Sequence, residues 1–275
     1  MKINLISGAL GAEISGLDLK DSSEENWNVI NQLLLEHKVL FFRNQNISAE
    51  EQINFAKRFG PLEKHVYVKG RDQYPEIIRI IKKPDEKQQW GETWHTDVSY
   101  NPKPTKVIIL RSIKIPPVGG DTMFSNMELA YETLDNDLKE KIKNKKAVHS
   151  SLGAAAFVDA YKGMEGNGNL DEYSNIHPIV RTHPETGKKI LYVNSMYTKR
   201  IEGLDESESS KLLKELFAHQ ERLDLTCRFK WTENAVAIWD NRSTQHQGLT
   251  DFFPGRGLGH ERVMDRIAIE GDQPI

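Results

Sequence analysis

The sequence predicts a mainly β fold with helices packed against the sheets. Short apolar runs rich in β-branched residues recur along the chain between polar turns, a pattern typical of jelly rolls. The strongest strand candidates are residues 38–42, 76–81, 106–110, 189–193, 235–239 and 262–269. Helical spacing of apolar residues is confined to a few segments, which indicates that helices decorate the sheets and do not form the core.

Two helices are predicted near the N-terminus, each beginning at a capping box. The motifs Ser22-x-x-Glu25 and Ser48-x-x-Glu51 place a hydroxyl and a glutamate three positions apart, so each can bond the other's backbone N–H. Apolar residues at helical spacing follow both motifs. Further helical segments are predicted near 127–143 and 207–220.

Residues 1–275 are predicted to form a single catalytic domain, because no Pro/Gly/Ser linker, charge block or repeat divides the chain. The chain has 37 basic and 40 acidic residues and a formal net charge of −3, with no long run of either sign. This composition argues against a nucleic-acid footprint and against a basic membrane-binding face, so small molecules are the expected partners.

Two features predict a cytoplasmic location. No stretch of the sequence approaches the ~18 apolar residues of a membrane span, and the start of the chain lacks the apolar core of a signal peptide. The single cysteine, Cys227, cannot form an internal disulfide, as expected in a reducing compartment. Cys227 lies in an alternating stretch and is predicted to be a buried strand residue.

Three residues at two places predict a metal site. His95 and Asp97 lie two positions apart, so from one strand end both can point to the same face, and His246 would reach them from a distant strand. Two imidazoles and one carboxylate form the facial triad of non-haem iron oxygenases. A His-x-Asp pair alone is more often a surface or structural pair, so the surrounding sequence decides between the two interpretations.

Two arginines follow His246 in a strand-like segment. Arg262 and Arg266 are four positions apart in an alternating run, so they share one strand face. A guanidinium group can bind a carboxylate through two parallel hydrogen bonds and stays charged in a buried pocket. One arginine could therefore bind a dicarboxylate co-substrate and the other an anionic substrate. The alternative is a pair of solvated strand arginines.

The sequence resembles the taurine dioxygenase family of iron(II)/2-oxoglutarate-dependent dioxygenases, which includes alkylsulfatases and phenoxyacetate-degrading enzymes. The matching segments run in family order: 94–100, 117–125, 177–187, 191–194, 239–246 and 262–272. The resemblance implies a double-stranded β-helix, that is, a jelly-roll or cupin-like core. It also implies iron(II) as cofactor, with 2-oxoglutarate and O2 as co-substrates, and succinate and CO2 as products.

The resemblance also implies a role for individual residues. His95, Asp97 and His246 match the iron ligands, and Arg262 and Thr122 match the residues that bind the far carboxylate of 2-oxoglutarate.

Three more residues match substrate-binding positions. Arg266 matches the arginine that binds the substrate anion, His65 a second anion-binding group and Tyr197 an aromatic wall. For His65 the alternative is a loop histidine bonded to backbone or water, and for Tyr197 it is ordinary packing. Gly91 stands where taurine-using members carry an asparagine, and this departure argues against taurine itself.

The predicted function is hydroxylation of a small anionic organic substrate, such as a sulfonate or sulfate ester, with release of sulfite or sulfate and an aldehyde. Three alternatives are the same chemistry on a small carboxylate or amino-acid-like metabolite, a zinc hydrolase with an open water site, and a catalytically silent ligand-binding protein. Relatives are often dimers or tetramers, so a homo-oligomer is expected.

Two long polar segments, 83–90 and 161–169, are predicted to be mobile, and long loops around an active site often act as lids. The glycine-rich insertion 255–261 is predicted to be an extended turn, so its Arg256 and His260 are not taken as functional groups.

Overall fold

A computed structural model describes residues 1–21, 23–86, 90–154, 157–158, 161, 163–251 and 259–275. The strands are β1 (Lys2–Leu5), β2 (Ala12–Ser15), β3 (Val39–Phe42), β4 (Ile78–Lys82), β5 (Val107–Lys114), β6 (Thr122–Asn126), β7 (Lys146–Ser150), β8 (Ser174–Pro178), β9 (Val180–Thr182), β10 (Lys189–Leu191), β11 (Thr198–Ile201), β12 (Thr226–Phe229), β13 (Val236–Asp240), β14 (Thr244–Gly248) and β15 (Arg262–Ile269). The α-helices with described bounds are α1 (Glu24–His37), α2 (Ala49–Ala56), α3 (Met127–Glu132), α4 (Asn136–Ile142) and α5 (Glu206–Gln220).

The strands form one large and three small sheets. The large sheet has seven strands in the order β1-β2-β3-β13-β5-β15-β4, and two three-stranded sheets have the orders β12-β6-β14 and β11-β7-β8. Strands β9 and β10 form a two-stranded sheet. Within the described part of the chain, β2 and β3 pair in parallel and the other strand pairs are antiparallel. The predicted mainly β class is confirmed.

The large sheet is buried on both faces because its central strands are apolar at nearly every position. On one face, Phe41 and Trp239 pack with Phe124 of β6 in a core between the large sheet and the β12-β6-β14 sheet. On the other face, alternate residues such as Leu40 and Ile238 pack against α1 and α2. Side chains of successive strand residues point to opposite faces, so each strand serves two cores. The candidate site lies at the first of these cores.

All six predicted strands are present, with ends shifted by up to four residues. Strand β15 has the predicted bounds, whereas β5 continues to Lys114. The predicted helical segment 127–143 consists of two helices, α3 and α4. Residues 133–135 separate them, and Asp135 is the N-cap of α4. Cys227 is buried in β12, as predicted.

One of the two predicted capping boxes is confirmed. Ser48 caps α2, accepting from the backbone N–H of Glu51 at 3.1 Å while the Glu51 carboxylate accepts from the Ser48 N–H at 2.7 Å. Helix α1 is capped instead by Ser23, whose hydroxyl accepts from the Asn26 N–H at 3.3 Å. Ser22 lies outside the described residues.

Of the segments predicted to be mobile, the described part of 161–169 is docked through its backbone. The N–H of Ile81 donates to the carbonyl of Gly163 at 3.0 Å, and the N–H of Lys69 donates to that of Glu165 at 2.8 Å. A role as a lid stays a prediction. Residues 87–89 of the other segment lie outside the described residues, as do residues 255–258 of the insertion, which include Arg256.

In the described part of the chain, no helix has both the length and the apolar character that a membrane crossing requires.

Candidate metal and co-substrate site

The side chains of the three predicted ligands, His95, Asp97 and His246, converge at the core between the large sheet and the β12-β6-β14 sheet. His246 lies on β14, which pairs with β6, and its ring packs against Trp239 at 4.7 Å between centroids. His95 forms an isolated β-bridge with His246, in which each backbone N–H donates to the other's carbonyl at 3.0 Å. One ligand atom from each of the three side chains lies within 4.8 Å of the others. Two of the three groups are thus placed together by backbone pairing.

The prediction that His95 and Asp97 leave the same strand end is wrong. His95 is limited to the single bridge, and Asp97 lies in the turn that follows it. The next residue, Val98, has a φ of 43°, a left-handed conformation that is uncommon for a β-branched residue. The turn, and not the two-residue period of a strand, brings the carboxylate back toward the imidazoles.

The Asp97 carboxylate is ionised although it is buried. Its Oδ1 lies 3.2 Å from Arg266 Nη2 and 3.9 Å from His95 Nε2, and its Oδ2 lies 3.5 Å from His246 Nε2. Burial alone would raise the pKa of Asp97, but Arg266 and the two imidazoles outweigh it and lower the pKa to about 2. The site therefore presents an anionic oxygen at neutral pH.

Both imidazoles are held in the neutral form that binds metals. Burial lowers the pKa of His95, and burial together with His95 lowers that of His246 to about 3. His95 Nδ1 lies 2.7 Å from the carbonyl of Thr93, so Nδ1 carries the proton and Nε2 offers its lone pair on the Asp97 side. A hydrogen bond from the distal nitrogen to a carbonyl is the usual support of a metal-binding histidine.

These groups fit iron(II). Ligand atoms about 2.1 Å from one ion lie about 3 Å apart when they are mutually cis, and the observed carboxylate–imidazole distances of 3.5 and 3.9 Å exceed this by less than 1 Å. Asp97 Oδ2 is buried and has no hydrogen-bond partner among the described residues, as expected of an atom reserved for a ligand. Two nitrogens and one oxygen from three side chains leave further positions on the ion open.

A small cavity of about 50 Å³ opens beside the three groups. Its described lining comprises His95, Asp97 and His246, the polar residues Thr122, Arg262 and Arg266, the apolar residues Ile80, Trp90, Leu110 and Trp239, and the glycines Gly91 and Gly248. The two arginines come from one face of β15, and this confirms the prediction that they share a face and point into one cavity.

Arg262 is buried and lacks an ion pair among the described residues. Its guanidinium carbon lies 5.8 Å from the ring centroid of Trp231, and its Nε has no hydrogen-bond partner in the described part of the chain. Burial lowers the pKa of Arg262 to about 10, so it is charged at neutral pH. Trp231 Nε1 donates to Thr122 Oγ1 at 2.9 Å, and the Thr122 hydroxyl proton is left free to donate into the cavity. Both groups suit a carboxylate.

Arg266 also borders a smaller side cavity, of about 10 Å³, with His65. His65 Nδ1 accepts from the backbone N–H groups of Tyr67 and Val68 at 3.1 and 3.2 Å. Burial, followed by the charge of Arg266, lowers the pKa of His65 to about 3, so the ring is neutral and its proton lies on Nε2. The local backbone bonds thus orient His65 as a donor next to Arg266.

Tyr197 is placed behind the site. Its ring contacts His95 edge-on, with 6.4 Å between centroids, and Tyr100 at 5.0 Å. It is absent from the described lining of both cavities, and burial raises its pKa above the ordinary range. Tyr197 thus packs against a candidate ligand and supports its position.

Sequence reasoning missed four apolar residues of the lining, Ile80, Trp90, Leu110 and Trp239. Three of them, Ile80, Leu110 and Trp239, lie on predicted strands, where alternation alone does not distinguish a cavity wall from ordinary core. Trp239 begins the matching segment 239–246, and Trp90 lies four residues before the segment 94–100. A large aromatic residue next to a segment that carries candidate ligands is the signal that could have identified them.

Gly91 lies against His95. Its φ is 74°, and a Cβ atom added there would come within 3.0 Å of His95 Cε1 and 3.5 Å of Nε2. We expect Gly91→Ala to weaken metal binding about tenfold, since both the left-handed backbone and the contact with the ring resist a side chain. Titration with Mn(II) measures this. Gly187→Ala is the control, because Gly187 is also left-handed but has open space around its Cβ position. Equal affinities of the two variants would contradict the expectation.

The comparisons with known proteins agree with this geometry. The chain is 36% identical to the alkylsulfatase of Acinetobacter baylyi, over 99% of this chain and 86% of the relative. It is 32% identical to the alpha-ketoglutarate-dependent sulfate ester dioxygenase of Pseudomonas putida, over 100% and 91%. A solved taurine dioxygenase from Burkholderia xenovorans superposes with a TM-score of 0.84 at 34% identity, covering 100% of this chain and 92% of that one.

A jelly roll that carries this cavity is the fold of the iron(II)- and 2-oxoglutarate-dependent dioxygenases, and the predicted fold and enzyme class are confirmed. The chain belongs to the taurine catabolism dioxygenase TauD, TfdA family, whose model matches residues 2–267. Iron(II), 2-oxoglutarate and O2 are accordingly its cofactor and co-substrates.

Proposed function

We propose that the protein hydroxylates a small sulfate ester or sulfonate at the carbon next to the leaving group. One atom of O2 enters that carbon and the other enters succinate, while 2-oxoglutarate loses CO2. The hydroxylated carbon then breaks its bond to the sulfate oxygen or to the sulfonate sulfur, which gives an aldehyde and releases sulfate or sulfite. The observation that carries the proposal is the convergence of the triad and two arginines on one cavity.

In this proposal His95, Asp97 and His246 hold iron(II), which when bound supplies the activation of O2 coupled to decarboxylation of 2-oxoglutarate. Arg262 binds the far carboxylate of 2-oxoglutarate through its guanidinium fork. Thr122, held by Trp231, donates its hydroxyl to the same carboxylate. The co-substrate thereby pairs the buried charge of Arg262, which has no ion pair among the described residues.

Arg266 binds the anionic end of the substrate. It reaches both cavities and lies 3.2 Å from Asp97, so an anion bound to it is held close to the metal ligands. His65 Nε2 adds a neutral donor to that anion, and because its pKa is lowered to about 3 it carries no charge to neutralise. Tyr197 acts through His95 in this proposal, as packing behind the ligand.

The cavity favours a substrate with an apolar tail and no ammonium group. Apart from the triad and the Thr122 hydroxyl, its described lining is apolar or cationic, and Asp97 is the one carboxylate among the described lining residues. An ammonium group such as that of taurine would find only a carboxylate committed to the metal and two repelling arginines. Alkyl sulfate esters match this lining, and relatives named alkylsulfatase and sulfate ester dioxygenase support the choice.

The test compares hexyl sulfate, hexanesulfonate and taurine in an assay of succinate and of released sulfate or sulfite. We expect turnover with hexyl sulfate to exceed that with taurine by at least about 100-fold, because each unpaired buried charge costs several kcal/mol. Release of sulfate without O2 and 2-oxoglutarate, in the presence of zinc, would replace the proposal with hydrolysis. Faster turnover of taurine would refute the substrate assignment.

Replacing each of the two arginines is expected to change a different KM. Arg266→Ala should raise the KM for the alkyl sulfate about 100-fold and change the KM for 2-oxoglutarate little, because it removes the substrate's charge-assisted bonds and leaves Arg262, the proposed partner of 2-oxoglutarate, in place. Arg262→Met, the matched variant on the same strand face, should do the reverse. Steady-state kinetics with each substrate varied in turn measures both constants. Equal changes in both KM values for either variant would contradict this division of roles.

Three further predictions belong to the proposal. Residues 1–275 act as one catalytic domain, and the protein forms a dimer or tetramer in a cytoplasmic compartment. The single buried Cys227 supports a reducing location. Sedimentation of the purified protein gives the oligomeric state directly.

A further inference from the structure

We infer that Asn241 is a positioning residue that holds the turn carrying Asp97 in the conformation needed for metal binding. The inference rests on the proposed metal site. Asn241 is fully buried, and its side chain bonds both backbone groups of Asp97. Its Oδ1 accepts from the Asp97 N–H at 3.0 Å, and its Nδ2 donates to the Asp97 carbonyl at 3.2 Å. Nδ2 also donates to the carbonyl of Thr105 at 2.9 Å.

Asp97 depends on side chains for its position more than the two histidines do. His95 and His246 are fixed to each other by two backbone hydrogen bonds, whereas Asp97 lies beyond that bridge in a turn. Its carboxylate is also drawn toward Arg266 at 3.2 Å. The amide of Asn241 replaces, for this one residue, the ladder of hydrogen bonds that a neighbouring strand would supply.

The turn is strained, and it is braced on its other side as well. A left-handed φ at Val98, which is buried, is a conformation that persists only where the surroundings impose it. Ser99 follows directly, and its Oγ accepts from Asn194 Nδ2 at 3.0 Å and lies 3.0 Å from His149 Nδ1. Asn241 therefore holds the residue before Val98, and the side-chain contacts of Ser99 hold the residue after it. If Asn241 is removed, the turn can relax and carry the carboxylate away from the imidazoles.

The experiment measures the Kd of Mn(II) for the metal-free protein by the electron paramagnetic resonance of the free ion, below the melting temperature of every variant. Asn241→Ala should raise the Kd about 10–100-fold, the usual effect of losing a group that orients a ligand. Ser99→Ala should raise it less. Ser243→Ala is the control, since Ser243 is buried in the same 240–243 turn and its hydroxyl has one hydrogen bond among the described residues, to the carbonyl of Asp240 at 3.5 Å.

A purely structural role predicts a different result, namely a lower melting temperature with an unchanged Kd for the folded protein. That result for Asn241→Ala would overturn the inference. If Asn241→Ala does not fold, Ser99→Ala decides, and a Kd equal to that of the unmodified protein would overturn it. Failure of the unmodified protein to bind Mn(II), or equal binding by His246→Ala, would instead refute the proposed metal site.

Discussion

Replacing His246 with alanine is expected to abolish succinate formation and to weaken Mn(II) binding. Loss of a residue that only orients a metal ligand weakens metal binding about 10–100-fold, and loss of the ligand His246 itself should weaken it more. The reason is that His246 Nε2 faces Asp97 Oδ2 at 3.5 Å, and no other described imidazole or carboxylate is grouped with the triad to replace it. The measurements are 2-oxoglutarate turnover and Mn(II) titration of the metal-free protein.

The control for this prediction is His219→Ala. His219 lies on α5, and its Nε2 lies 2.9 Å from the carbonyl oxygen of Ala130. This contact is made away from the triad. We expect it to leave Mn(II) affinity unchanged. His246 also packs on Trp239, so thermal unfolding of the metal-free variant must show that it is folded. Residual turnover above about one hundredth of the normal rate, in folded protein, would argue against a metal site at this histidine.

Replacing Asp240 with alanine is expected to lower the free energy of unfolding by about 3–5 kcal/mol, the cost of breaking a buried ion pair from one side. Asp240 is fully buried at the end of β13. Its carboxylate accepts from Arg242 Nε at 2.9 Å and Nη2 at 2.6 Å, and Oδ2 lies 2.9 Å from His183 Nε2. Without it the buried Arg242 keeps only partly exposed carboxylates among the described residues, Glu185 at 2.7 Å and Asp272 at 4.0 Å.

Urea denaturation measures the change, and Asp224→Ala is the matched control. Asp224 makes the same two-pronged pair with Arg222 at 3.0 and 2.6 Å, but on the surface, where solvent screens it. No measurable change is expected there. A loss for Asp240→Ala as small as that of the control would show that this buried network adds nothing to stability.

The Asp240 network also has a pH signature. Burial would raise the pKa of Asp240, but Arg242 and His183 outweigh burial and hold it well below the ordinary range. Its contribution to stability is therefore present above the carboxyl pKa of the unfolded chain, about 3.9, and is lost as the pH falls through the folded value. The acid limb of the stability curve should be flatter in Asp240→Ala than in the unmodified protein.

Local periodicity predicted six of the fifteen described strands, and residue types and motifs predicted the chemistry of the site. Strand β15 has the predicted bounds, and Arg262 and Arg266 line one cavity as their spacing requires, because alternation within a single strand needs no tertiary information. The motifs named the three candidate ligands, and the structure brings their ligand atoms within 4.8 Å. Residue type and spacing determine these features because each depends on only a few neighbouring residues.

Tertiary structure decided how the ligands meet. The carboxylate is placed by the turn at Asp97 and Val98, a conformation that the sequence pattern His-x-Asp does not contain and that the amide of Asn241 imposes from the distant β13–β14 turn. The cavity wall formed by Trp90 and Ile80 likewise arises where separate segments pack. By itself the sequence determined which chemical groups are present and that Arg262 and Arg266 share one face of a strand. Their geometry depends on hydrogen bonds and packing between residues far apart in the chain, and such contacts exist only once the chain has folded.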